Sequence, residues 1–120
     1  MQLIAHRGLT NKFYKENTIE AFENAINNKY IGIELDIRMT KDKKIVILHD
    51  KVINRTSNGK GNINNLEYKE LKKYNFGSKE IPSKIPLLKD VIKKFNNTII
   101  FIELKEKIDK YSLLNILNLL

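Results

Sequence analysis

Cysteine is absent from the 120-residue sequence, so disulfide bonds and thiolate zinc sites are excluded. The sequence also lacks any run of about 18 apolar residues, the length that a membrane-spanning helix requires. Its N-terminus has neither the basic segment nor the apolar core of a signal peptide. We therefore expect no stable membrane insertion and a cytoplasmic location. The length suits one domain at most.

Arginine is scarce. Three of the 22 basic residues are arginines, and the others are lysines scattered singly or in pairs. Nucleic-acid-binding surfaces instead cluster arginine and lysine on one face. We therefore expect no nucleic-acid partner, despite the net charge of +8. A positive surface would help to attract a small anionic substrate.

The first part of the chain predicts a strand, a helix and a second strand. Leu3–His6 is a short apolar run, and aliphatic residues alternate with polar ones over 31–37. Between them, apolar residues recur at helical spacing over about 18–29. Asn17 precedes Glu20 by three residues, which predicts a capping box with Asn17 as the cap.

The apolar run 45–48 predicts a third strand. The link from the second strand is too short for a parallel crossover, so we expect an antiparallel hairpin with its turn over 41–44. A turn centred between Asp42 and Lys43 places Asp36 opposite His49. A slip of one residue would turn His49 to the other face.

The second part of the chain predicts further elements. They are a loop at 51–65, a short helix at 66–74 capped by Asn65, a loop at 78–84, a helix with Pro86 in its first turn, a strand at 99–105, and a helix at 113–120 capped by Ser112. Repeated strand–helix units predict a parallel sheet with right-handed crossovers. Phe22, Phe95 and Phe101 are expected in the core.

Ionisable side chains stand at the carboxyl ends of the predicted strands: His6, Arg7, Glu34, Asp36, His49, Glu103 and Lys105. Active sites of parallel β/α barrels lie at this end. Three carboxylates repel one another unless a hard cation such as Mg²⁺ or Ca²⁺ binds them. Two imidazoles supply a general acid and base, and the arginine and lysine neutralise a phosphoryl group. The set is complete for metal-assisted phosphodiester cleavage.

Each of these residues also has a structural interpretation. Glu34 and Asp36 would face water if their strand were half exposed. Glu103 and Lys105 would form a salt bridge on one sheet face. A single histidine at a strand end is usually structural or exposed. The joint occurrence of the set favours catalysis over these interpretations.

Short motifs follow one another in a specific order and spacing across 3–105. They are His6-Arg7-Gly8, Glu16-Asn17-Thr18 with Ile19 to Phe22, Glu34-Leu35-Asp36-Ile37, Thr40-Lys41-Asp42, Val46 to Asp50, Arg55-Thr56 with Gly59 and Gly61, Ile85 to Leu88, and Ile102 to Lys105. In this combination the sequence resembles the glycerophosphodiester phosphodiesterase family. It departs from the family at Lys43, where glycine is common, and we expect a longer turn there.

The resemblance implies a TIM barrel and a phosphodiesterase that hydrolyses glycerophosphodiesters to glycerol 3-phosphate and an alcohol. It implies a divalent cation, Mg²⁺ or Ca²⁺, and an insertion at 51–84 that helps to shape specificity. By the same resemblance, the roles are metal binding by Glu34, Asp36 and Glu103, acid–base catalysis by His6 and His49, and phosphate contact by Arg7 and Lys105.

A complete TIM barrel needs about 250 residues and eight strands. We therefore expect an incomplete barrel: a single partial domain over 1–120, with about three βα units, a hairpin and the insertion. The alternatives are a related enzyme that acts on lysophospholipids or sphingomyelin, and an inactive remnant or binding module. The sequence leaves open the head group, the choice of ion, the attacking nucleophile, the role of each histidine and the oligomeric state.

Overall fold

One long strand organises the sheet. The computed structural model describes residues 3–117, whose strands are β1 (Ile4–His6), β2 (Gly32–Met39), β3 (Ile45–Ile47) and β4 (Ile99–Leu104). The helices are α1 (Ile19–Asn27), α2 (Tyr68–Leu71), α3 (Leu88–Lys94) and α4 (Lys110–Leu117), with a 3₁₀ turn at Ile63–Asn65. Within residues 3–117, every helix is too short or too polar to cross a membrane.

β2 has partners on both edges. β1 and β4 pair with it in parallel, and β3 pairs with it antiparallel. β1 pairs with residues 32–34 of β2 and β4 with residues 32–37, so β1 and β4 lie on opposite edges. β3 pairs with 37–39 and continues the edge that β1 begins. The predicted parallel sheet with one hairpin is confirmed. In this register His6 pairs with Glu34, and Asp36 pairs with Glu103.

The hairpin register differs by one residue from the prediction. The backbone N–H of Leu48 donates to the carbonyl of Asp36 at 2.9 Å, so Leu48 and not His49 lies opposite Asp36. β3 ends at Ile47, and His49 follows it outside the regular strand. The alternation of side chains along a strand therefore does not decide where the His49 imidazole points.

The turn explains the register. Thr40 N–H donates to the carbonyl of Lys44 at 2.9 Å, which leaves the three residues 41–43 in the loop. A loop of three residues shifts the pairing by one position relative to a loop of two or four. Lys43 adopts a φ of 61°, the left-handed conformation that such loops require in their last residue. The expectation of a longer turn was wrong, because Lys43 itself adopts this conformation.

The cap of α1 is Thr18 and not Asn17. The Thr18 hydroxyl accepts a hydrogen bond from Ala21 N–H at 3.2 Å. Asn17 instead adopts a φ of 56°, and its N–H donates to the carbonyl of Arg7 at 2.9 Å. Asparagine tolerates this left-handed conformation better than most residues. The Asn17 side chain is thereby free to serve another purpose.

Three other helix boundaries also move. α2 is shorter than predicted and begins after Glu67, whose carboxylate forms a reciprocal capping box with Glu70. Pro86 precedes the cap of α3 and so lies outside its first turn. α4 begins before Ser112, whose backbone N–H and hydroxyl both donate to the Asp109 carboxylate. The end of this predicted helix, 118–120, lies outside the described residues.

The apolar side chains form two clusters. The larger lies between one sheet face and α1 and α3; it includes Phe22, Ala25, Ile33, Leu35, Ile37, Val91 and Phe95. The smaller lies beneath 51–85 and consists of Val46, Leu48, Ile53, Ile63, Leu71, Phe76 and Ile85. The segment predicted as an insertion therefore carries an apolar cluster that it shares with β3.

The opposite sheet face is open around β1 and β4 within residues 3–117, whereas the smaller cluster covers it at β3. Phe101 was expected in the core but is 51% exposed, and Ile99 on the same strand is 52% exposed. In the sheet register Phe101 pairs with Glu34, which places both on the face opposite the helices. This open face therefore carries both polar and apolar side chains.

Candidate active site

Three carboxylates converge on the open face. Glu34 and Asp36 stand two residues apart on β2, and Glu103 pairs with Asp36 from β4. One oxygen from each of the three lies within 4.8 Å of the other two. Asp36 is fully buried, Glu34 is partly buried and Glu103 is exposed. The parallel register therefore builds the acidic cluster that the sequence predicts.

Two oxygens of this cluster lack hydrogen-bond partners among residues 3–117. Glu34 Oε1 and Asp36 Oδ1 are both buried from solvent. A buried carboxylate oxygen without a partner is costly, because it has lost its hydration. The free oxygens and their proximity fit a hard divalent cation, which takes carboxylate oxygens as ligands. The donor set is thus suited to the cation that the sequence predicts.

The electrostatics of the cluster agree with this fit. Burial, and then the neighbouring charge of Asp36, raise the pKa of Glu34 above its ordinary value. A hydrogen bond from Lys105, and then its charge, hold the pKa of Glu103 below its ordinary value. A bound cation would add positive charge where the two carboxylates on β2 repel each other.

The two predicted histidines lie within electrostatic range of the cluster. His6, at the end of β1, places its Nε2 3.0 Å from Glu34 Oε2. His49 places its Nδ1 2.7 Å from Asp50 Oδ1, while its carbonyl accepts a hydrogen bond from Arg38 Nε at 2.8 Å. When protonated, both imidazoles lower the pKa of Glu103. His49 thus approaches the acidic cluster although the predicted pairing with Asp36 was wrong.

Both predicted phosphate contacts line the acidic cluster. Lys105 Nζ lies 2.9 Å from Glu103 Oε1 and 3.9 Å from Asp36 Oδ1. Arg7 Nε lies 3.4 Å from Asp36 Oδ2 and has no hydrogen-bond partner among residues 3–117. The structure therefore connects six of the predicted site residues through direct contacts: His6, Arg7, Glu34, Asp36, Glu103 and Lys105. His49, the seventh, contacts Asp50 and Arg38, and its charge acts on Glu103.

The loop after β1 presents Arg7 through two left-handed residues. Arg7 has a φ of 58°, and Gly8 has a φ of 88°. A Cβ on Gly8 would lie 2.7 Å from the Cβ of Ala21 in α1, closer than real Cβ contacts allow. Arg7 N–H donates to the carbonyl of Glu34 at 2.8 Å. Glycine thus lets the chain pass close to α1 while Arg7 stays against β2.

Sequence reasoning interpreted Asn17 as a helix cap that could also border the site. Its Nδ2 donates to Asp36 Oδ2 at 3.0 Å, and both residues are buried. The interaction orients Asp36, whose other oxygen is the free one. The spacing of Asn17 and Glu20 suggested a cap, and no signal in the sequence distinguishes a cap from this contact across 19 residues.

Sequence reasoning left Asp50 and Arg55 open between residues of the site and supports of it, and it assigned no role to Glu16. The Arg55 guanidinium donates two hydrogen bonds to Glu16, at 2.7 and 3.0 Å. It donates two more to Asp50, at 2.8 and 3.0 Å. Burial works to raise the pKa of Glu16, but the hydrogen bond and charge of Arg55 outweigh it, and the pKa is lowered.

The family is shown by comparison with known proteins. The family model described as "Glycerophosphoryl diester phosphodiesterase family" matches residues 6–113. The chain belongs to this family. It is 38% identical over 117 residues to a glycerophosphodiester phosphodiesterase of Bacillus altitudinis, and the match covers 92% of this chain and 47% of that protein. The chain thus spans about half the length of the curated relatives it matches.

Solved structures give the same fold. A glycerophosphodiester phosphodiesterase from Agrobacterium tumefaciens has a TM-score of 0.90 at 25% identity, over 98% of this chain and 52% of that one. A phosphodiesterase from Oleispira antarctica, in complex with the product sn-glycerol-3-phosphate, has a TM-score of 0.88 at 27% identity. It covers 98% of this chain and 52% of that one. The fold is therefore about half of a TIM barrel of this family.

Proposed function

We propose that this chain carries the catalytic site of a metal-dependent phosphodiesterase. The reaction is hydrolysis of glycerophosphodiesters to glycerol 3-phosphate and an alcohol. The observation that carries the proposal is the acidic cluster, in which Glu34 and Asp36 each keep one buried oxygen free. Membership of the family supports the substrate class, and so does the product held by the Oleispira antarctica relative.

Each group of residues has a distinct role in this proposal. Glu34, Asp36 and Glu103 hold the cation, Mg²⁺ or Ca²⁺, which when bound supplies Lewis-acid polarisation of the phosphoryl group. The guanidinium of Arg7 and the ammonium of Lys105 neutralise negative charge that builds on the phosphate. The remaining chemistry is proton transfer.

His6 and His49 carry out that proton transfer. One imidazole removes a proton from the attacking oxygen, and the other protonates the departing alcohol oxygen. The attacking oxygen belongs to water, or to a substrate hydroxyl whose cyclic phosphate product water then opens. His49 Nδ1 lies 2.7 Å from Asp50 Oδ1, so Nε2 is the ring nitrogen that is left for the reaction.

The finer assignments belong to the same proposal. We place the reaction in glycerol and lipid metabolism in the cytoplasm, because deacylated phospholipids are water-soluble. Residues 1–120 act as one partial domain, and 51–84 are its insertion. Cell fractionation tests the location; recovery of the protein in the membrane fraction would contradict it.

The test combines binding with turnover. Calorimetric titration of the chain with Mg²⁺ and with Ca²⁺ should show one site, and Glu34→Gln or Asp36→Asn should remove it. The same variants should abolish hydrolysis of glycerophosphocholine, whereas Glu80→Gln, an exposed carboxylate outside the site, should behave as wild type. Undiminished turnover in Asp36→Asn would reject the metal assignment. Faster turnover of lysophosphatidylcholine or sphingomyelin would favour the alternative substrates.

A further inference from the structure

A continuous chain of charged hydrogen bonds leads away from His49. Its Nδ1 lies 2.7 Å from Asp50 Oδ1. Asp50 Oδ2 accepts from Arg55 Nε at 2.8 Å, and Asp50 Oδ1 accepts from Arg55 Nη2 at 3.0 Å. The far side of the same guanidinium binds both oxygens of Glu16 at 2.7 and 3.0 Å. Glu16 Oε2 in turn lies 3.4 Å from Arg7 Nη1.

The ionisation of Asp50 determines which ring nitrogen of neutral His49 carries the proton. The hydrogen bond from Arg55, and then the hydrogen bond from His49, hold the pKa of Asp50 well below its ordinary value. Asp50 is therefore ionised at neutral pH and can only accept hydrogen bonds. Its neighbour His49 Nδ1 must then carry the proton. In the neutral imidazole this leaves Nε2 unprotonated and able to act as a base.

Arg55 holds the Asp50 carboxylate in position beside His49. Asp50 and Glu16 are carboxylates on different loops, and the charge of Asp50 works to raise the pKa of Glu16. One planar guanidinium satisfies both, with a pair of donors to each, which a lysine ammonium cannot reproduce. Arg55 therefore ties the loop of His49 to the loop of Arg7.

We propose that Asp50 and Arg55 are positioning residues for the reaction. Asp50 holds the His49 imidazole in the tautomer with the proton on Nδ1, and Arg55 holds Asp50 in place and, through Glu16, steadies Arg7. This inference rests on the proposed function for its catalytic meaning. It also predicts that His49 has one fixed tautomer and that this tautomer depends on Arg55. That prediction can be tested without measuring turnover.

The first experiment observes the tautomer directly in the wild-type chain. The sequence has two histidines, so nitrogen-15 labelling of histidine gives two sets of ring signals, which His6→Gln assigns. Above the titration of the imidazoles, His49 should show a protonated Nδ1 and an unprotonated Nε2. A protonated Nε2, or signals averaged between tautomers, would overturn the assignment of Asp50. This measurement needs no turnover, so it remains decisive if the proposed hydrolysis fails.

The second experiment tests Arg55. Arg55→Gln should average the His49 signals and lower kcat by about 10–100-fold, with a smaller change in KM. Arg55→Lys keeps the positive charge but cannot donate paired hydrogen bonds to both carboxylates. Its kcat should therefore lie between those of wild type and Arg55→Gln. Lys60→Gln, an exposed lysine in the same loop, is the matched control and should change neither readout.

The outcomes separate the alternatives. Unchanged His49 signals and unchanged kcat in Arg55→Gln would overturn the role of Arg55. If Arg55→Gln does not fold, Arg55→Lys decides: wild-type kcat would show that charge alone suffices and would overturn the positioning role. Hydrolysis that is absent in the wild type would count against the proposed function and not against the tautomer.

Discussion

Asn17 provides the sharpest test of how the site is built. Its amide donates to the buried Asp36 carboxylate at 3.0 Å, and its backbone is left-handed with a φ of 56°. Asn17→Ala removes a hydrogen bond to a charged group, which contributes about 1.5–3 kcal/mol. It also forces a Cβ-bearing residue that lacks the polar side chain of asparagine into the left-handed conformation, at about 1–2 kcal/mol. We therefore expect the free energy of unfolding to fall by about 3 kcal/mol, a large part of a typical 5–15 kcal/mol.

Asn17→Gly separates the two contributions. Glycine accepts the left-handed backbone but supplies no amide, so its loss should be about 1 kcal/mol smaller than that of alanine. Urea denaturation followed by circular dichroism measures both variants. A chelator must be present, because a bound cation adds its own stabilisation. Asn97→Ala, at an exposed asparagine without a side-chain hydrogen bond among residues 3–117, should stay within about 0.5 kcal/mol of wild type.

Two results would refute this reasoning. Equal losses for Asn17→Ala and Asn17→Gly would show that the backbone conformation contributes nothing. Losses below about 0.5 kcal/mol in both would show that the contact with Asp36 is not stabilising. Because Asn17 orients Asp36, the alanine variant should also bind the cation about 10–100-fold more weakly.

Three further predictions concern other residues. Lys43→Gly should raise the melting temperature by a few degrees, because glycine relieves the left-handed φ of 61°; a lower melting temperature would contradict the turn geometry. Gly8→Ala should lower the unfolding free energy by about 2–4 kcal/mol in urea, since its Cβ would collide with Ala21; a change within about 0.5 kcal/mol would contradict this. The depressed pKa of Asp50 gives stability that is present above its ordinary pKa and is lost as the pH falls below about 4. The urea midpoints of wild type and Asp50→Asn should therefore differ by a steady amount from pH 7 to about 5 and converge as the pH falls below about 4. A difference that stays constant down to about pH 2 would be inconsistent with this linkage.

The site residues on β2 and β4 were predictable because strand periodicity is a local property. Glu34 and Asp36 are two residues apart and must share a face, whatever the strand pairs with. The parallel order of the strands followed from the repeated strand–helix units. These two facts place Glu103 at the same end of the sheet as Asp36, and the register then pairs the two residues.

The remaining features depend on loop lengths and on contacts between distant residues, which local sequence patterns do not indicate. The hairpin register depends on the number of residues in the loop before β3. The pattern of apolar residues predicted four, at 41–44, whereas the loop has three, at 41–43. Asn17 has the sequence context of a cap, but its positive φ turns its amide to Asp36. The bonds from Arg55 to Glu16 span 39 residues. Composition and spacing do not encode such distances.

The three carboxylates of the acidic cluster differ in burial, and we expect them to differ in their contribution to cation binding. Asp36 is fully buried and fixed by Asn17, so it is the rigid member. Glu103 stands exposed on the open face and is held by Lys105, which must share that carboxylate with any bound cation. Attraction weakens as water raises the local dielectric, so Glu103 should contribute least to cation affinity. In the proposed site, β2 would therefore supply the two strongest ligands, Glu34 and Asp36. β4 would supply Glu103, the ligand that couples Lys105 to the cation.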